Sequence, residues 1–301
     1  MSIIQNFKMM IQHLKGCNIK KTIAVVCGTD DHSKEAVTKA IEEGLVNVLM
    51  VGPKSKVENY PIFHSHPESV QFIDIADTDE AAKVAVGLIR EKKADILMKG
   101  NINTDNLLRV VLNKEYGLLA KGKVLTHLSL AEIPGTSKFL FFGDAAVIPA
   151  PNIEQRRSMI GYMVNACHKF GLKTPKIALI HFTEKVSEKF PNSVDYLSLS
   201  EEARNGGFGE AIVYGPIDLS TACNPEGADI KGIDTPIHGD ADGLILPNIE
   251  TGNVFYKSIT QFAHAEMAGL LMGTDCPIVI TSRSDSAQTK FNSIALACLT
   301  H

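Results

Sequence analysis

The sequence lacks several features that would place the protein in a particular cellular setting. Its six cysteines form no Cys-x-x-Cys pair and no regular framework, and most lie within apolar runs, as reduced structural thiols do. No stretch approaches the roughly 20 apolar residues of a membrane span. The first apolar residues recur at helical spacing, which is typical of a surface helix and not of a signal peptide. We therefore expect a cytoplasmic protein with no membrane partner.

An excess of positive charge is also lacking. The formal net charge is −4, and basic residues form only short clusters such as Lys20-Lys21. Because duplex nucleic acid is bound through a basic surface, we expect no nucleic-acid partner, and an anionic substrate must be held by local donors. The Walker lysine, GxSxG and HExxH motifs are absent. His64 and His66 have no third ligand nearby in sequence, so we predict no metal site.

What the sequence does contain is a regular alternation of strand-like and helix-like segments. We predict helix starts at Ser33, at Asp77 with Glu80, at Asn152 with Gln155 and at Ser198 with Glu201. The predicted strands cover residues 22–27, 46–51, 72–75, 95–98, 176–181, 211–214, 243–246 and 277–281. This order predicts an α/β protein with mostly parallel sheets covered by helices on both faces.

The alternation is interrupted once. Apolar segments at residues 123–132 and 138–142 follow each other without a helix between them, which indicates an antiparallel pair and a change of domain. The helix after residue 253 is predicted to run to about Met272. We expect the last strand and helix to fold back onto the N-terminal part. The predicted domains are therefore residues 1–130 plus 280–301 and residues 131–279, with a cleft between them.

One candidate site lies at residues 236–257, where a glycine turn, a short buried strand, a polar loop and a helix start follow one another. In parallel sheets ligands lie beyond the carboxyl ends of the strands. Here that position holds Asn248, Gly252 and Asn253, and the following helix carries Lys257. The alternative is an ordinary loop in which an asparagine caps the helix and Asp240 solvates a turn.

A second candidate site is the loop at residues 281–287. It combines hydroxyl groups with one guanidinium group and backbone N–H groups at a helix start, which suits a phosphate. The alternative is helix capping by Asp285 or Ser286 with a solvated Arg283. Lys99-Gly100-Asn101 also follows a strand, and Arg109 lies in the next helix, where solvent exposure is the alternative.

Four motifs in the same order resemble the phosphate acetyl/butyryl transferase family, and its butyryl branch most closely. They are residues 97–100 with 104–109, residues 142–146 leading to 151–152, residues 239–257, and residues 281–287. The resemblance implies a two-domain α/β/α fold related to the isocitrate and isopropylmalate dehydrogenases, with the active site in the interdomain cleft of a homodimer. It also implies reversible exchange of acyl-CoA and phosphate with acyl phosphate and CoA. CoA is then a substrate, and no permanently bound cofactor is expected.

Residue by residue, the family's serine-arginine pair falls on Ser282 and Arg283. In acetyl-specific members a cysteine lies two residues after that arginine and an aspartate base four residues further on. Here Asp285 and Thr289 occupy those positions. We therefore expect direct transfer in a ternary complex, with Asp285 as the base or as the group that orients Arg283. The predicted substrate-binding residues are Lys99, Gly100, Asn101, Thr104, Arg109, Asp144, Asp240, Asn248, Gly252, Asn253, Lys257, Ser284 and Ser286.

The sequence favours a butyryl or branched acyl group over acetyl. Another acyl-phosphate enzyme, or a dehydrogenase on the same architecture, is the alternative among enzymes. A non-catalytic sensor of CoA or phosphate is the alternative outside them. A CoA-dependent loss of acyl phosphate distinguishes the transferase from the sensor.

Overall fold

A computed structural model describes residues 2–282 and 285–301. Its helices are α1 (Phe7–Gly16), α2 (Asp31–Glu42), α3 (Pro61–Ser65), α4 (Thr78–Arg90), α5 (Thr104–Val111), α6 (Ile153–Lys169), α7 (Pro191–Arg204), α8 (Leu219–Cys223), α9 (Pro225–Lys231), α10 (Ile249–Phe262) and α11 (Ala287–Thr300). Its strands are β1 (Lys21–Val26), β2 (Val46–Gly52), β3 (Val70–Asp74), β4 (Ile96–Lys99), β5 (Thr126–Glu132), β6 (Leu140–Gly143), β7 (Lys176–Ile180), β8 (Ile212–Ile217), β9 (Gly243–Ile245), β10 (Glu266–Met272) and β11 (Ile278–Val279).

The chain divides into two compact units. The first unit comprises residues 7–125 and 267–301, and the second comprises residues 2–6 and 126–266. The predicted boundary near residue 280 is wrong, because β10 joins the first unit through its antiparallel pairing of Leu271 with Ile278 on β11.

The first unit is built on strands in the order β3-β2-β1-β4-β11-β10. All neighbouring pairs are parallel except β10 with β11. The helix α11 contacts α1, α2 and β11, and α4 contacts α5, β1 and β2. The two chain segments of this unit are joined within the sheet, since β4 from the first segment and β11 from the second are neighbours.

The second unit has strands in the order β5-β6-β9-β7-β8. The pair β5–β6 is antiparallel, as predicted from the interrupted alternation, and the other pairs are parallel. The predicted α/β class with mostly parallel strands is confirmed. Among the described residues no helix is long and apolar enough to cross a membrane.

Three local predictions were wrong. The cap of α2 is Asp30, which accepts the Ser33 N–H at 2.9 Å, so Ser33 lies inside the helix. Ser198 lies in the middle of α7, which begins at a proline. The helix predicted to reach Met272 ends at Phe262, and a buried strand follows it.

Candidate active site

In the first unit the ends of three adjacent parallel strands form one edge. Val26 pairs with Lys99, and Val279 pairs with Met98, so the loops after β1, β4 and β11 begin at the same level. In parallel sheets this carboxyl edge is where ligands bind. Three of the sequence-predicted segments, at residues 99–101, 104–109 and 281–286, follow strands that end here.

Gly100 holds the first two loops together. A Cβ at this position would lie 2.5 Å from the carbonyl oxygen of Cys27, so no side chain fits. The Gly100 N–H donates to the carbonyl of Val26 at 2.9 Å, and the Asn101 amide donates to the Thr29 hydroxyl at 3.4 Å. Gly100, which was predicted as a substrate-binding residue, therefore allows the β1 and β4 loops to meet.

The loop after β11 is stabilised by its own aspartate. The Asp285 carboxylate accepts the backbone N–H of Ser282 at 2.7 Å, and the Asp285 N–H donates to the Ser282 carbonyl at 3.1 Å. Ser286 caps α11 by accepting the Thr289 N–H at 3.1 Å. The capping alternative is thus realised for Ser286, whereas Asp285 binds the backbone of its own loop and caps no helix. Ser282 is exposed. Arg283 and Ser284 lie outside the described residues.

Two buried ammonium groups lie at this edge. Lys99 is buried and its Nζ donates to the Gly100 carbonyl at 3.3 Å. Lys290, in the first turn of α11, is buried as well, and its Nζ lies 3.2 Å from Thr281 Oγ1 and 3.7 Å from Asp30 Oδ1. Buried charges are costly unless they are paired, and an anion at this edge would stabilise the Lys290 ammonium group, which Asp30 approaches only to 3.7 Å.

The pKa of Asp30 reflects the same environment. Burial raises the pKa of Asp30. Hydrogen bonds from Ser33 and the charge of Lys290 lower it by more, so the pKa lies below its ordinary value. Asp30 is therefore ionised at neutral pH. Lys290 was missed by the sequence analysis. Its signal was a single lysine in the helix segment that leads into the apolar residues 294–299.

Thr104 and Arg109 lie further from the edge. Thr104 is exposed at the first position of α5, whose cap residue is Asn103. Arg109 is exposed in the last turn of that helix, about 8 Å further along its axis. Its guanidinium forms no hydrogen bond or ion pair with any residue that the structure describes.

In the second unit Asp144 was predicted to bind substrate, but its carboxylate is already occupied. Oδ2 accepts from the Thr126 hydroxyl at 2.8 Å and the His127 N–H at 2.9 Å. Oδ1 accepts from the N–H groups of Ala146 and Val147 at 2.7 and 2.8 Å. Four donors fill the acceptor capacity of a carboxylate, so this buried group shapes the loop after β6 instead of offering itself to a ligand.

Gly252 has a different role from the one predicted. It lies buried in the first turn of α10, and a Cβ built there would overlap the carbonyl oxygen of Asp144. The close approach is therefore between α10 and the Asp144 loop. Asn253 and Lys257 are exposed one turn apart on α10. The Asn253 amide lies 3.5 Å from the Ala145 carbonyl.

Asn248 is the cap of α10. Its Oδ1 accepts from the Thr251 N–H at 2.9 Å and from the Thr251 hydroxyl at 2.7 Å, as the capping alternative predicts. Because Oδ1 is fixed by these donors, the amide NH₂ group is directed elsewhere. The buried Arg156 donates to the Pro247 carbonyl at 3.4 Å and to the Asn192 side chain at 2.6 Å. This arginine, which the sequence analysis missed, ties the Asn248 loop to α7.

Asp240 does not join these residues. It precedes β9, whereas Asn248 follows that strand, so the two lie at opposite edges of the sheet. Its carboxylate forms ion pairs with Lys138 at 2.6 Å and Lys176 at 3.2 Å, and Asp242 also pairs with Lys138, at 2.7 Å. The prediction that Asp240 shares a substrate site with Asn248 is therefore wrong, because the strand separates them.

A pocket of about 670 Å³ opens at the carboxyl edge of the second unit. Volume and lining are those of a small-molecule site, since apolar and aromatic side chains predominate and a few polar groups are interspersed. The lining residues are Ile180, His181, Phe182, Lys189, Phe190, Pro191, Asn192, Asp218, Leu219, Leu246, Pro247, Thr251 and Phe255.

His181 is the buried titratable group in the lining of this pocket. Its Nδ1 lies 3.1 Å from the carbonyl oxygen of Thr183. A carbonyl only accepts, so Nδ1 carries the hydrogen and Nε2 of the neutral ring is an acceptor. The Phe182 ring is tilted by 31° from the plane of the imidazole, and the two ring centroids lie 4.5 Å apart. In the described part of the chain, no group of three or more His, Cys, Asp and Glu side chains is placed to hold a metal ion.

Comparison with known proteins gives a consistent answer over nearly the whole chain. A family described as phosphate acetyl/butaryl transferase matches residues 75–298. A phosphate butyryltransferase of Clostridium acetobutylicum is 35% identical over 99% of this chain and 98% of its own length. A phosphate acetyltransferase of Thermotoga maritima is 37% identical over 93% of this chain and 95% of its own length.

Solved structures agree. A branched-chain phosphotransacylase from Enterococcus faecalis superposes with a TM-score of 0.82 at 32% identity, covering 93% of this chain and 99% of its own. A 4-hydroxythreonine-4-phosphate dehydrogenase from Salmonella typhimurium gives a TM-score of 0.58 at 11% identity, covering 94% and 99% of the two chains. The second likeness concerns the fold alone, which this chain shares with a dehydrogenase.

Proposed function

Because this chain belongs to the phosphate acetyl/butyryl transferase family of acyltransferases, we propose that it transfers a butyryl or branched short-chain acyl group reversibly between CoA and inorganic phosphate. The observation that carries the proposal is the strand edge of the first unit, where the buried Lys290 ammonium group reaches Thr281 and the buried Lys99 ends the neighbouring strand β4. An oxyanion-rich reactant neutralises such an edge. CoA is a substrate in this family and not a resident cofactor.

The proposed reaction is a direct displacement. A phosphate oxygen attacks the thioester carbonyl carbon, the new C–O bond forms as the C–S bond breaks, and the thiolate of CoA takes up a proton. Ser282, Arg283 and Arg109 hold the phosphoryl group, as the family resemblance implies, and Lys257 on α10 is an exposed cation for the phosphates of CoA. Lys99, Gly100 and Asn101 lie at the strand edge that we assign to phosphate, and Thr104 begins the helix that follows them.

A covalent acyl-cysteine is not required. The thiol nearest to the first-unit edge is Cys27, at the end of β1, and burial raises its pKa. Cys276 and Cys298 are buried too, and burial raises the pKa of each to about 12. Because the thiolate is the nucleophilic form, these thiols favour transfer in a ternary complex.

Magnitudes indicate which groups matter most. Deprotonating a thiol of ordinary pKa at neutral pH costs only about 2 kcal/mol. Positioning two bound substrates supplies roughly 7–11 kcal/mol, and a donor to the developing oxyanion about 3–4 kcal/mol. The base is therefore the smaller contribution. Asp285 is our proposed base, but its hydrogen bond to the Ser282 N–H makes it first a stabiliser of the loop.

We assign acyl-CoA to the pocket of the second unit. Its side chains Phe182, Phe190 and Leu219 are exposed apolar groups at the mouth, and they suit an alkyl chain or the pantetheine arm. Asn248 and Asn253 lie on the loop and helix beside Thr251, which lines the pocket. The apolar side chains of this lining offer more contact area to a four-carbon or branched acyl chain than to an acetyl group, so they favour the longer chains.

The test is a coupled assay of CoA release from acetyl-, butyryl- and isobutyryl-CoA in the presence of phosphate. We expect kcat/KM to be highest for butyryl- or isobutyryl-CoA. Equal or higher kcat/KM for acetyl-CoA would contradict the chain-length assignment. Tight CoA binding without turnover of any of the three would instead indicate a sensor.

We also propose a cytoplasmic homodimer, which rests on the family resemblance and on the free cysteines. Light scattering coupled to size-exclusion chromatography tests the oligomeric state. A mass near twice 32.7 kDa supports the dimer, and a mass near that of one chain contradicts it.

A further inference from the structure

Lys290 is an unusual residue for its position. It lies in the first turn of α11 and its side chain is only 3% exposed. The N-terminus of a helix carries partial positive charge and repels a cation, and burial removes the ammonium from water. Two effects therefore oppose a lysine here, and the structure compensates for them only in part.

The compensation comes from Asp30 and Thr281. The carboxylate of Asp30 lies 3.7 Å from Lys290 Nζ, beyond hydrogen-bond distance, so it attracts the ammonium without bonding to it. The hydrogen bond of Lys290 is to the neutral Thr281 Oγ1, at 3.2 Å. An anion at this edge would offset the remaining positive charge.

The direction of the hydrogen bond determines what Thr281 can do. An ammonium group has donors and no acceptor, so Lys290 donates and Thr281 Oγ1 accepts. The hydrogen of the threonine hydroxyl is then left for another acceptor, and within residues 2–282 and 285–301 no group accepts it. Thr281 is only 5% exposed. A buried donor without an acceptor is unfavourable, and a ligand oxygen would satisfy it.

The position of Thr281 matches that need. Val279 on β11 pairs with Met98 on β4, and continuing this parallel register places Thr281 level with Gly100. Thr281 directly precedes Ser282. A donor at this point lies where three strand ends meet, at the edge that we assign to phosphate.

We propose that Thr281 is a phosphate-binding residue and that Lys290 is the positioning residue that holds it as a donor. Lys290 keeps Oγ1 as an acceptor, so the hydroxyl hydrogen is presented to a phosphate oxygen. The charge of Lys290, only partly neutralised by Asp30, adds attraction to the same anion. This inference rests on the proposed function in one respect, namely that the anion is the phosphate substrate.

The test separates binding of phosphate from binding of acyl-CoA. Thr281→Val removes the hydroxyl at nearly constant shape, and Thr281→Ser retains it. We expect Thr281→Val to raise the KM for inorganic phosphate by about 10- to 100-fold, the range for a hydrogen bond to a charged group. The KM for butyryl-CoA should stay within about twofold. Thr281→Ser should stay close to wild type in both. Equal rises in both KM values, or an unchanged phosphate KM, would overturn the proposal.

Lys290 is tested through Thr281. Lys290→Met should raise the phosphate KM, and the further effect of Thr281→Val should be much smaller in that background, because the two residues act on one hydrogen bond. Fully additive effects would contradict positioning. Should Lys290→Met fail to fold, the Thr281 pair of variants decides alone.

Thermal unfolding in inorganic phosphate gives a readout besides activity. Phosphate should raise the Tm of the wild type and of Thr281→Ser, and the shift should be lost in Thr281→Val. If the wild type shows this shift but no acyl transfer, the proposed function fails and the anion site stands. If acyl transfer is normal but Thr281→Val keeps the Tm shift, the inference fails and the function stands.

Discussion

The carbonyl oxygen of Asp144 occupies the place where a Cβ of Gly252 would stand. The same aspartate accepts four hydrogen bonds through its carboxylate, which fixes that carbonyl in space. The contact packs the first turn of α10 against the loop after β6. The residues next to Asn248 are thereby positioned by packing of backbone against backbone at Gly252.

Gly252→Ala should therefore destabilise the protein. The added methyl group meets backbone atoms, which cannot move aside as a flexible side chain does, so we expect a loss of about 1–3 kcal/mol in the free energy of unfolding. Denaturant titration followed by circular dichroism measures it. Gly161→Ala in α6 is the matched control, since nothing lies within 4 Å of its Cβ. That variant should be neutral or stabilised by up to about 1 kcal/mol. Equal stability of the two variants would contradict the packing argument.

Replacements at residues 283 and 285 should differ in size. Arg283→Ala removes a charged donor and should lower kcat by about 10²- to 10³-fold. Asp285→Asn keeps an oxygen that accepts the Ser282 N–H, so we expect less than about a tenfold loss, the base being the smaller contribution. Asp285→Ala loses that acceptor, so its loss in kcat should lie between the losses of Asp285→Asn and Arg283→Ala. Steady-state kinetics at saturating butyryl-CoA and phosphate test the order. An equal collapse in Arg283→Ala and Asp285→Asn would refute it.

Asp240→Asn should leave catalysis intact. The side chain is half-exposed and pairs with Lys138 and Lys176 at the edge opposite Asn248. The KM values for phosphate and for butyryl-CoA should stay within about twofold of wild type. The loss in the free energy of unfolding at pH 7 should be below about 1 kcal/mol, as for exposed ion pairs. A tenfold rise in either KM would restore Asp240 to the substrate site.

The pH dependence of that stability loss follows from the pKa of Asp240. Burial raises this pKa, but hydrogen bonds and charges from Lys138 and Lys176 lower it below the ordinary 3.8 overall. A lowered carboxyl pKa contributes stability above the unfolded value, and this stability is lost as the pH falls through the folded value. The difference in the free energy of unfolding between wild type and Asp240→Asn should thus be largest at pH 7 and should decrease below pH 3.8. A difference that persists at pH 2 would show that the charge is not its cause.

Phe182 provides a test of the pocket in the second unit. It lines the pocket but is 67% exposed, so its removal should cost little stability. If acyl-CoA covers this ring, Phe182→Ala should raise the KM for butyryl-CoA by roughly three- to tenfold and leave the phosphate KM unchanged. Phe262→Ala is the control, because that ring is 82% exposed at the end of α10 and does not line the pocket. The same KM change in both variants would argue against acyl-CoA at the pocket.

The alternation of strands and helices could be predicted because buried parallel strands are apolar along their whole length. The same rule explains the main error in the fold. Residues 266–272 consist of good helix formers such as methionine, alanine and leucine, so local preference extended α10 through them. Pairing with β11 overrides that preference, and no local pattern announces a pairing between segments.

At the candidate site, residue types were predicted better than roles. The polar loops after β4, β9 and β11 were identified because strand ends are where such groups gather. Asp144 was predicted to bind substrate, and Asp285 to act as the base or to orient Arg283, yet each accepts backbone N–H groups of its own loop. A sequence shows that a carboxylate is present, but which donors reach it depends on the folded loop.

The buried Lys290 and Arg156 could not be assigned from the sequence. Long cationic side chains are exposed by default, and both are nevertheless buried through partners 36 to 260 residues away: Asn192 for Arg156 and Asp30 for Lys290. Only the tertiary structure reveals such pairs.

The pairing of β4 with β11 has a consequence for synthesis on the ribosome. A nascent chain that has emerged as far as Glu266 already contains every strand from β5 to β9, so the second unit can fold. The first unit then still exposes β4 as an open hydrogen-bonding edge, because β11 has not been made. That edge invites association between neighbouring chains until the last 35 residues arrive to cover it.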